Sequence, residues 1–275
     1  MSEPVLITSM ANPLVKRIRK LRERKERTQS GLFYAEGLRI VAEAVEKPER
    51  IETILAAPEL LEGSFGRELL ARVSASGIPV AYFNPAVFES FALKDGPQGL
   101  AALVRQEWMS LNSVSPEPGQ SWVILEAVAD PGNLGTILRA HDAVGGQGVI
   151  LLEQSTDPYD PTAIRASMGA VFSQKLIKTT LVEFTAWAQA GGYQIFGTSD
   201  AADHDYHYEQ YPDPFLLMMG SERHGLSAQA MALCDLMVSI PMLGRGDSLN
   251  LAVATAVVLY EWLNHKRDMG GRILK

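Results

Sequence analysis

Three apolar runs constrain the chain most: 122–128 (WVILEAV), 148–154 (GVILLEQ) and 214–220 (PFLLMMG). They are nearly continuous in Val, Ile, Leu and Met, where a half-exposed strand would alternate. That is the pattern of strands buried on both faces of a parallel sheet. Further strands are predicted at 174–180, 193–199 and 236–241, with helices at 130–146, 161–169, 181–190 and 226–233 and a closing helix from about 249 to 266. The first part of the chain alternates in the same way: strands at 32–37, 51–57, 79–83 and 100–106, helices at 38–47, 66–76 and 85–93. Strands alternating with helices predict an α/β fold throughout. Residues 109–120 (MSLNSVSPEPGQ) are polar and hold two prolines and a glycine, which predicts a linker. The expected organisation is therefore a small α/β domain over 1–108, a linker over 109–120 and a parallel-sheet domain over 121–275.

With 275 residues, 47% of them hydrophobic and 21% charged, the chain has ample material for two packed cores. The single cysteine, Cys234, excludes a disulfide framework and a cysteine-rich zinc site. The longest uncharged apolar run near the C-terminus, 248–260, has 13 residues, short of the roughly 18 that a membrane span needs. No apolar signal core opens the chain, and acidic residues interrupt its Arg-rich start. The expectation is a soluble, cytoplasmic protein with no membrane partner.

The net charge of −7 conceals a split. Residues 1–27 hold eight basic and three acidic groups, against seventeen and twenty-nine in the rest. A basic segment on an acidic body points to a polyanionic partner. Within it, 12–27 (NPLVKRIRKLRERKER) places Leu14, Ile18 and Leu21 at helical spacing, predicting one amphipathic helix with a cationic outer face. Such a run is often only a solvated face. Here Glu23 and Glu26 are too few to pair its bases, which favours phosphate binding.

Three glycine-containing turns follow apolar strands: 130–135 (DPGNLG), 220–227 (GSERHGLS) and 240–250 (IPMLGRGDSLN). In a parallel sheet, ligands bind beyond the carboxyl ends of strands, so the three turns imply one cleft. None is a dinucleotide fingerprint or a phosphate-binding P-loop, and no GxSxG elbow or HExxH pair occurs. His204 and His207 near Asp203 and Asp205 could suggest a metal; an exposed polar loop is the plainer reading. Taken singly, the residues of these turns have ordinary explanations. Asn133 and Ser248 could be helix N-caps, Gly220 and Gly225 simple turn residues, and Leu249 and Ala252 core. Glu222 could pair with Arg223 or Arg245, and Arg139 could be a snorkelling or salt-bridged side chain.

Together, Asn133-x-Gly135-x-x-x-Arg139, Gly220-x-Glu222-x-x-Gly225, and Ile240-Pro241 with Ser248-Leu249-Asn250 resemble the three motifs of the SpoU (TrmH-type) RNA ribose 2′-O-methyltransferases of the SPOUT superfamily. Order, spacing and strand–turn–helix setting all agree over 121–265. The N-terminal part, with NPLVKRIRKLR and GLFYAEGLRIVAEAV, is similar to the substrate-binding domain of members that act on large-subunit ribosomal RNA.

The resemblance implies a deep trefoil knot, with loops at 217–226 and 238–252, that binds S-adenosylmethionine. Met219, Gly220, Gly225, Ile240, Met242, Leu249, Asn250 and Ala252 would hold the cofactor. Arg139, Asn133, Glu222, Ser248 and Asn250 would form the catalytic set, and no metal is implied. A guanidinium is a poor base at neutral pH, so Arg139 is expected to hold a phosphate and stabilise developing alkoxide charge. Lys16, Arg17, Arg19, Lys20 and Arg39 are the expected RNA contacts. A homodimer through the knot region and the C-terminal helix is also implied. Within the same chemistry a tRNA substrate is the alternative; outside it, a noncatalytic RNA-binding assembly protein or a small-molecule α/β enzyme. His141-Asp142 and His224 depart from common family residues and are expected to affect substrate contacts only.

Overall fold

The continuous apolar runs become the centre of a parallel sheet. The computed structural model describes residues 5–270. It divides into two units: one holds the described residues up to Gln106 together with Asp157–Phe172, the other Glu107–Thr156 and the chain from Ser173 onward.

The first unit contains β1 (Leu6–Ile7), α1 (Pro13–Lys20), α2 (Arg24–Ser30), β2 (Leu32–Glu36), α3 (Leu38–Val45), β3 (Ile51–Ala56), α4 (Gly63–Ala75), β4 (Val80–Phe83), α5 (Pro85–Glu89) and β5 (Leu100–Arg105). Its sheet runs β1-β4-β3-β5-β2, with β5 antiparallel to both neighbours. Val15, Ile18 and Leu21 bury one face of the basic segment against Phe83, Phe88 and Phe91. The amphipathic reading of these positions holds, but the single helix over 12–27 does not. The Leu21 N–H bonds the Arg17 and Ile18 carbonyls at 3.3 and 3.1 Å, closing α1 in a tight turn. Glu23 is extended, and α2 starts afresh behind it.

Arg27 explains the break. Its side chain is 1% exposed. One guanidinium nitrogen takes the Leu21 and Arg22 carbonyls at 3.0 and 2.8 Å, where α1 ends. The others reach Asp157 at 2.8 Å and Asp160 at 3.2 Å. A cation at a helix C-terminus satisfies orphan carbonyls, and the two aspartates neutralise it in the core.

The second unit contains β6 (Ser121–Glu126), α6 (Pro131–Ala143), β7 (Gly148–Leu152), β8 (Lys175–Thr179), α8 (Leu181–Gly191), β9 (Ile195–Thr198), β10 (His204–Asp205), β11 (Phe215–Met219), α9 (Ala228–Met231), β12 (Leu236–Ser239) and α10 (Leu251–Gly270). Between β7 and β8 the chain forms α7 (Pro161–Ser167), capped by Asp160, within the first unit. The sheet order is β10-β12-β9-β11-β6-β7-β8, and every pairing is parallel. Every residue of β6, β7 and β11 is buried. Each fully buried large apolar side chain in these strands contributes about 1.5–3 kcal/mol.

Two expectations change here. The polar stretch 109–120 does not run free: the Met109 N–H bonds the Leu176 carbonyl at 2.9 Å, and Leu111 and Val114 are buried in the core of the second unit. The stretch of His204 and His207 is exposed, as expected, but it is not wholly irregular: His204 and Asp205 form a short strand beside β12.

Candidate active site

All strands of the second sheet are parallel, so the turns after β6, β11 and β12 open at the same edge. After β6 the backbone turns sharply, with Ala127 at φ 53°. Asp130 then caps α6, its Oδ1 accepting from the Gly132 and Asn133 amides at 2.6 and 3.0 Å, with Pro131 in the first turn. Asp130 therefore does the capping that Asn133 alone would suggest, and the Asn133 side chain is left for other work.

After β11 the chain makes a turn closed by two bonds. The Ser221 N–H donates to the Gly225 carbonyl and the Gly225 N–H to the Ser221 carbonyl, both at 3.0 Å. The approach demands glycine at both ends. A Cβ on Gly220 would lie 2.0 Å from the Gly225 carbonyl carbon, and Gly225 itself has φ +64°. Glu222 projects from this turn. Its Oε1 accepts from the Asn133 amide group at 2.9 Å and from the Asp130 N–H at 3.2 Å, while Oε2 accepts from the Ala129 N–H at 3.2 Å. Its partner is thus Asn133, not Arg223 or Arg245. Burial works to raise the Glu222 pKa, but the bonds from Asn133 and the two amides outweigh it and hold the carboxyl below its usual range. At neutral pH Glu222 is a fixed anion that orients donors, not a proton donor.

After β12 the third turn brings Asn250 to the same place. Its amide group donates to Asn133 Oδ1 at 2.9 Å, and its own Oδ1 accepts from the Ala252 and Val253 N–H groups at 3.0 and 3.3 Å. Asn250, not Ser248, caps the last helix. One chain of bonds, Asn250 to Asn133 to Glu222, joins the three turns. Ser248 is exposed and, among the described residues, bonds only Asp247, at 3.4 Å. Around the turns, Met219 and Ala252 are buried, Ile240 is half-buried, and Met242, Leu249 and Gly225 are exposed. Among the described residues, no backbone N–H from Met242 to Leu249 donates a hydrogen bond within the protein. The third turn thus offers free backbone donors beside exposed thioether and aliphatic side chains. Such a turn can take a ligand that carries both hydrogen-bond acceptors and apolar surface.

Arg139 lies further along α6, exposed, with no side-chain bond or ion pair among the described residues. The structure does not join it to Glu222. His141, expected to influence the substrate, is instead fully buried: Nε2 lies 3.1 Å from the Ser121 hydroxyl and Nδ1 2.8 Å from Gln174 Oε1. Desolvation pushes its pKa down to about 4, against the weaker opposing pull of those partners. It is a core residue.

Of the expected RNA contacts, Lys16, Lys20 and Arg39 are exposed. Arg17 is exposed as well but makes two bonds to Glu52, at 2.6 and 3.2 Å, and Arg19 reaches the Ser90 carbonyl at 3.3 Å. His204 and His207 engage Glu209 and Glu261 at 2.8 and 2.7 Å. Among the described residues there is no group of three or more side chains suited to a metal ion, and no helix long and apolar enough to cross a membrane.

Comparison with known proteins gives the family of both parts of the chain. Residues 120–260 match the SpoU rRNA Methylase family, and residues 12–102 match an MRM3-like substrate binding domain. The chain is 32% identical to a 23S rRNA (uridine(2479)-2′-O)-methyltransferase of Streptomyces viridochromogenes, covering 88% of this chain and 85% of that protein. It is 29% identical to the 23S rRNA (guanosine(2553)-2′-O)-methyltransferase RlmP of Bacillus subtilis, covering 92% and 97%. An AdoMet-bound rRNA methyltransferase from Sinorhizobium meliloti superposes with a TM-score of 0.86 at 35% identity, covering 96% and 99%.

Proposed function

Since the chain belongs to the SpoU rRNA methylase family, we propose that it transfers a methyl group from S-adenosylmethionine to a ribose 2′-hydroxyl in ribosomal RNA, with the large subunit favoured. The observation that carries this reading is the bond chain from Asn250 through Asn133 to Glu222, which links the three turns at one sheet edge. Relatives named for this reaction on 23S rRNA, and a structural neighbour with the cofactor bound, support it.

The free backbone groups of 242–249, with Met242 and Leu249, would receive the cofactor, whose sulfonium supplies an electrophilic methyl group and leaves as a neutral thioether. Gly220, Gly225, Met219, Ile240 and Ala252 complete its surroundings. Glu222 keeps Asn133 oriented, and Asn133 and Asn250 present their amide groups at the mouth of the site. Arg139 has no side-chain partner among the described residues and would take an RNA phosphate, placing its charge where the attacking ribose oxygen becomes negative. Ser248 completes the catalytic set at the rim. RNA capture falls to residues 1–108, through Lys16, Arg17, Arg19, Lys20 and Arg39, and catalysis to 121–275. Membership of the family supports a trefoil knot formed by loops 217–226 and 238–252. Val253 and Tyr260, large, apolar and about half exposed on α10, support a homodimer through this helix. A cytoplasmic location fits the rRNA substrate.

The test is methyl transfer from labelled S-adenosylmethionine to ribosomal RNA and to tRNA, both from cells lacking the protein. Label in one alkali-resistant ribosomal linkage, lost with Arg139→Ala, is expected. Label in tRNA alone would overturn the rRNA assignment. Cofactor binding without label on any RNA or ribosomal particle would leave a noncatalytic binding protein.

A further inference from the structure

Two carboxylates tie the first turn to the second, and only one of them belongs to the recognised motifs. Glu222 reaches from the second turn back to residues 129–133. Glu126, the last residue of β6, reaches the other way: its Oε2 accepts from the Ser227 N–H at 2.7 Å and its Oε1 from the Ser227 hydroxyl at 2.6 Å. Both bonds have the short length of charge-assisted contacts. Glu126 is only 7% exposed.

Capping α9 does not require Glu126. The Ser227 hydroxyl already accepts from the Ala230 N–H at 3.1 Å, which is the cap of that four-residue helix. A buried carboxylate is costly unless its hydrogen bonds compensate, and an apolar residue would fill the end of a buried strand more cheaply. What the carboxylate adds is register. Only Leu226 separates Ser227 from Gly225, and Gly225 holds Ser221 through two backbone bonds. A shift of Ser227 therefore moves the turn that carries Gly220 and Glu222.

We propose that Glu126 is a positioning residue: through Ser227 it fixes the 220–227 turn at the height needed for S-adenosylmethionine to bind. The inference rests on the methyltransferase reading above. Glu126 touches neither cofactor nor RNA.

The test uses the full chain and two variants. Glu126→Gln keeps the shape but replaces one acceptor with a donor facing Ser227. Glu183→Gln is the control. Glu183 also holds two groups, the Thr179 hydroxyl at 2.7 Å and the Thr180 N–H at 3.2 Å, but at the start of α8, outside the site. S-adenosylmethionine affinity is measured by calorimetry and Tm by scanning calorimetry. Glu126→Gln is expected to weaken binding about tenfold and Glu183→Gln less than about twofold, with Tm lowered in both. Adding Ser227→Ala to Glu126→Gln should cost less than the product of the two single effects, because both break one clamp. Parent-like affinity in Glu126→Gln with a lowered Tm would reduce Glu126 to a purely structural residue and overturn the proposal. If Glu126→Gln does not fold, Ser227→Ala carries the same test, with weakened binding expected and unchanged binding overturning it. A parent chain that does not bind S-adenosylmethionine overturns the cofactor reading itself, and this inference with it.

Discussion

Asn133→Asp is a nearly isosteric change that attacks the centre of the site. Asn133 now donates to Glu222 at 2.9 Å and accepts from Asn250 at 2.9 Å. The substitution preserves the acceptor and so the Asn250 bond, but it replaces the donor facing Glu222 with a second carboxylate. Two charges at that separation repel by about 1.4 kcal/mol even at the dielectric constant of water, and by more where water is excluded. The lost charge-assisted bond adds about 1.5 kcal/mol. The total of about 3 kcal/mol corresponds to a loss of about 100-fold in kcat/KM at pH 8. Asn133→Ala removes the bonds without adding charge and is expected to lose only about tenfold. Two carboxylates this close share a proton, so the Glu222 pKa, now held low, should rise in Asn133→Asp. Part of the lost activity should then return as the pH falls, whereas Asn133→Ala shows no such recovery. The assay is methyl transfer from pH 8 downward with all three proteins. An Asn133→Asp protein as active as Asn133→Ala at pH 8, with the same pH profile, would refute the reasoning that the Glu222 charge is fixed against Asn133.

Two further perturbations test the framework. His141 is buried neutral with its pKa lowered to about 4, so the unfolded chain binds the proton first as pH falls. Its contribution is complete above about pH 6.5 and is lost as the pH drops toward 4, by about 3 kcal/mol at the limit. In urea unfolding at pH 7 and pH 4.5, His141→Asn should lose less stability between the two pH values than the parent; equal losses would refute the assignment. Arg27→Met strands Asp157 and Asp160 without their cation and is expected to destabilise the first unit by about 3–5 kcal/mol. Limited proteolysis should then cut residues 5–106 and 157–172 faster, and adding Asp157→Asn and Asp160→Asn should recover part of the loss; proteolysis at the parent rate would contradict the buried-pair reading.

The parallel sheet was legible because its signal is local and strong. Runs such as FLLMM in β11 are buried on both faces, and no half-exposed strand has that composition. The three turns were legible as one cleft for the same reason, since parallel strands deliver their carboxyl ends to a single edge. What sequence reading missed depends on contacts between distant positions. The basic run 12–27 looked short of acids because only near neighbours were counted. Arg27 finds Asp157 and Asp160 about 130 residues away, and Arg17 finds Glu52. Half of what reads as a phosphate-binding surface can thus be internal pairing, whereas Lys16, Lys20 and Arg39 stay exposed with no side-chain bond among the described residues. Asn133 was open to a capping role because asparagine caps helices well. Asp130, three residues earlier and directly before Pro131, takes that role, and only the folded geometry shows that this releases Asn133 to Glu222. The same logic applies to Glu126. It is the one charged residue in the run 122–128, and the partner that satisfies its buried carboxylate lies 101 residues on. In each case a polar residue is held in place by a partner that no periodicity could reveal. Two of them, Asn133 and Glu126, connect the turns, so the parts of the site hardest to see in sequence are those that assemble it.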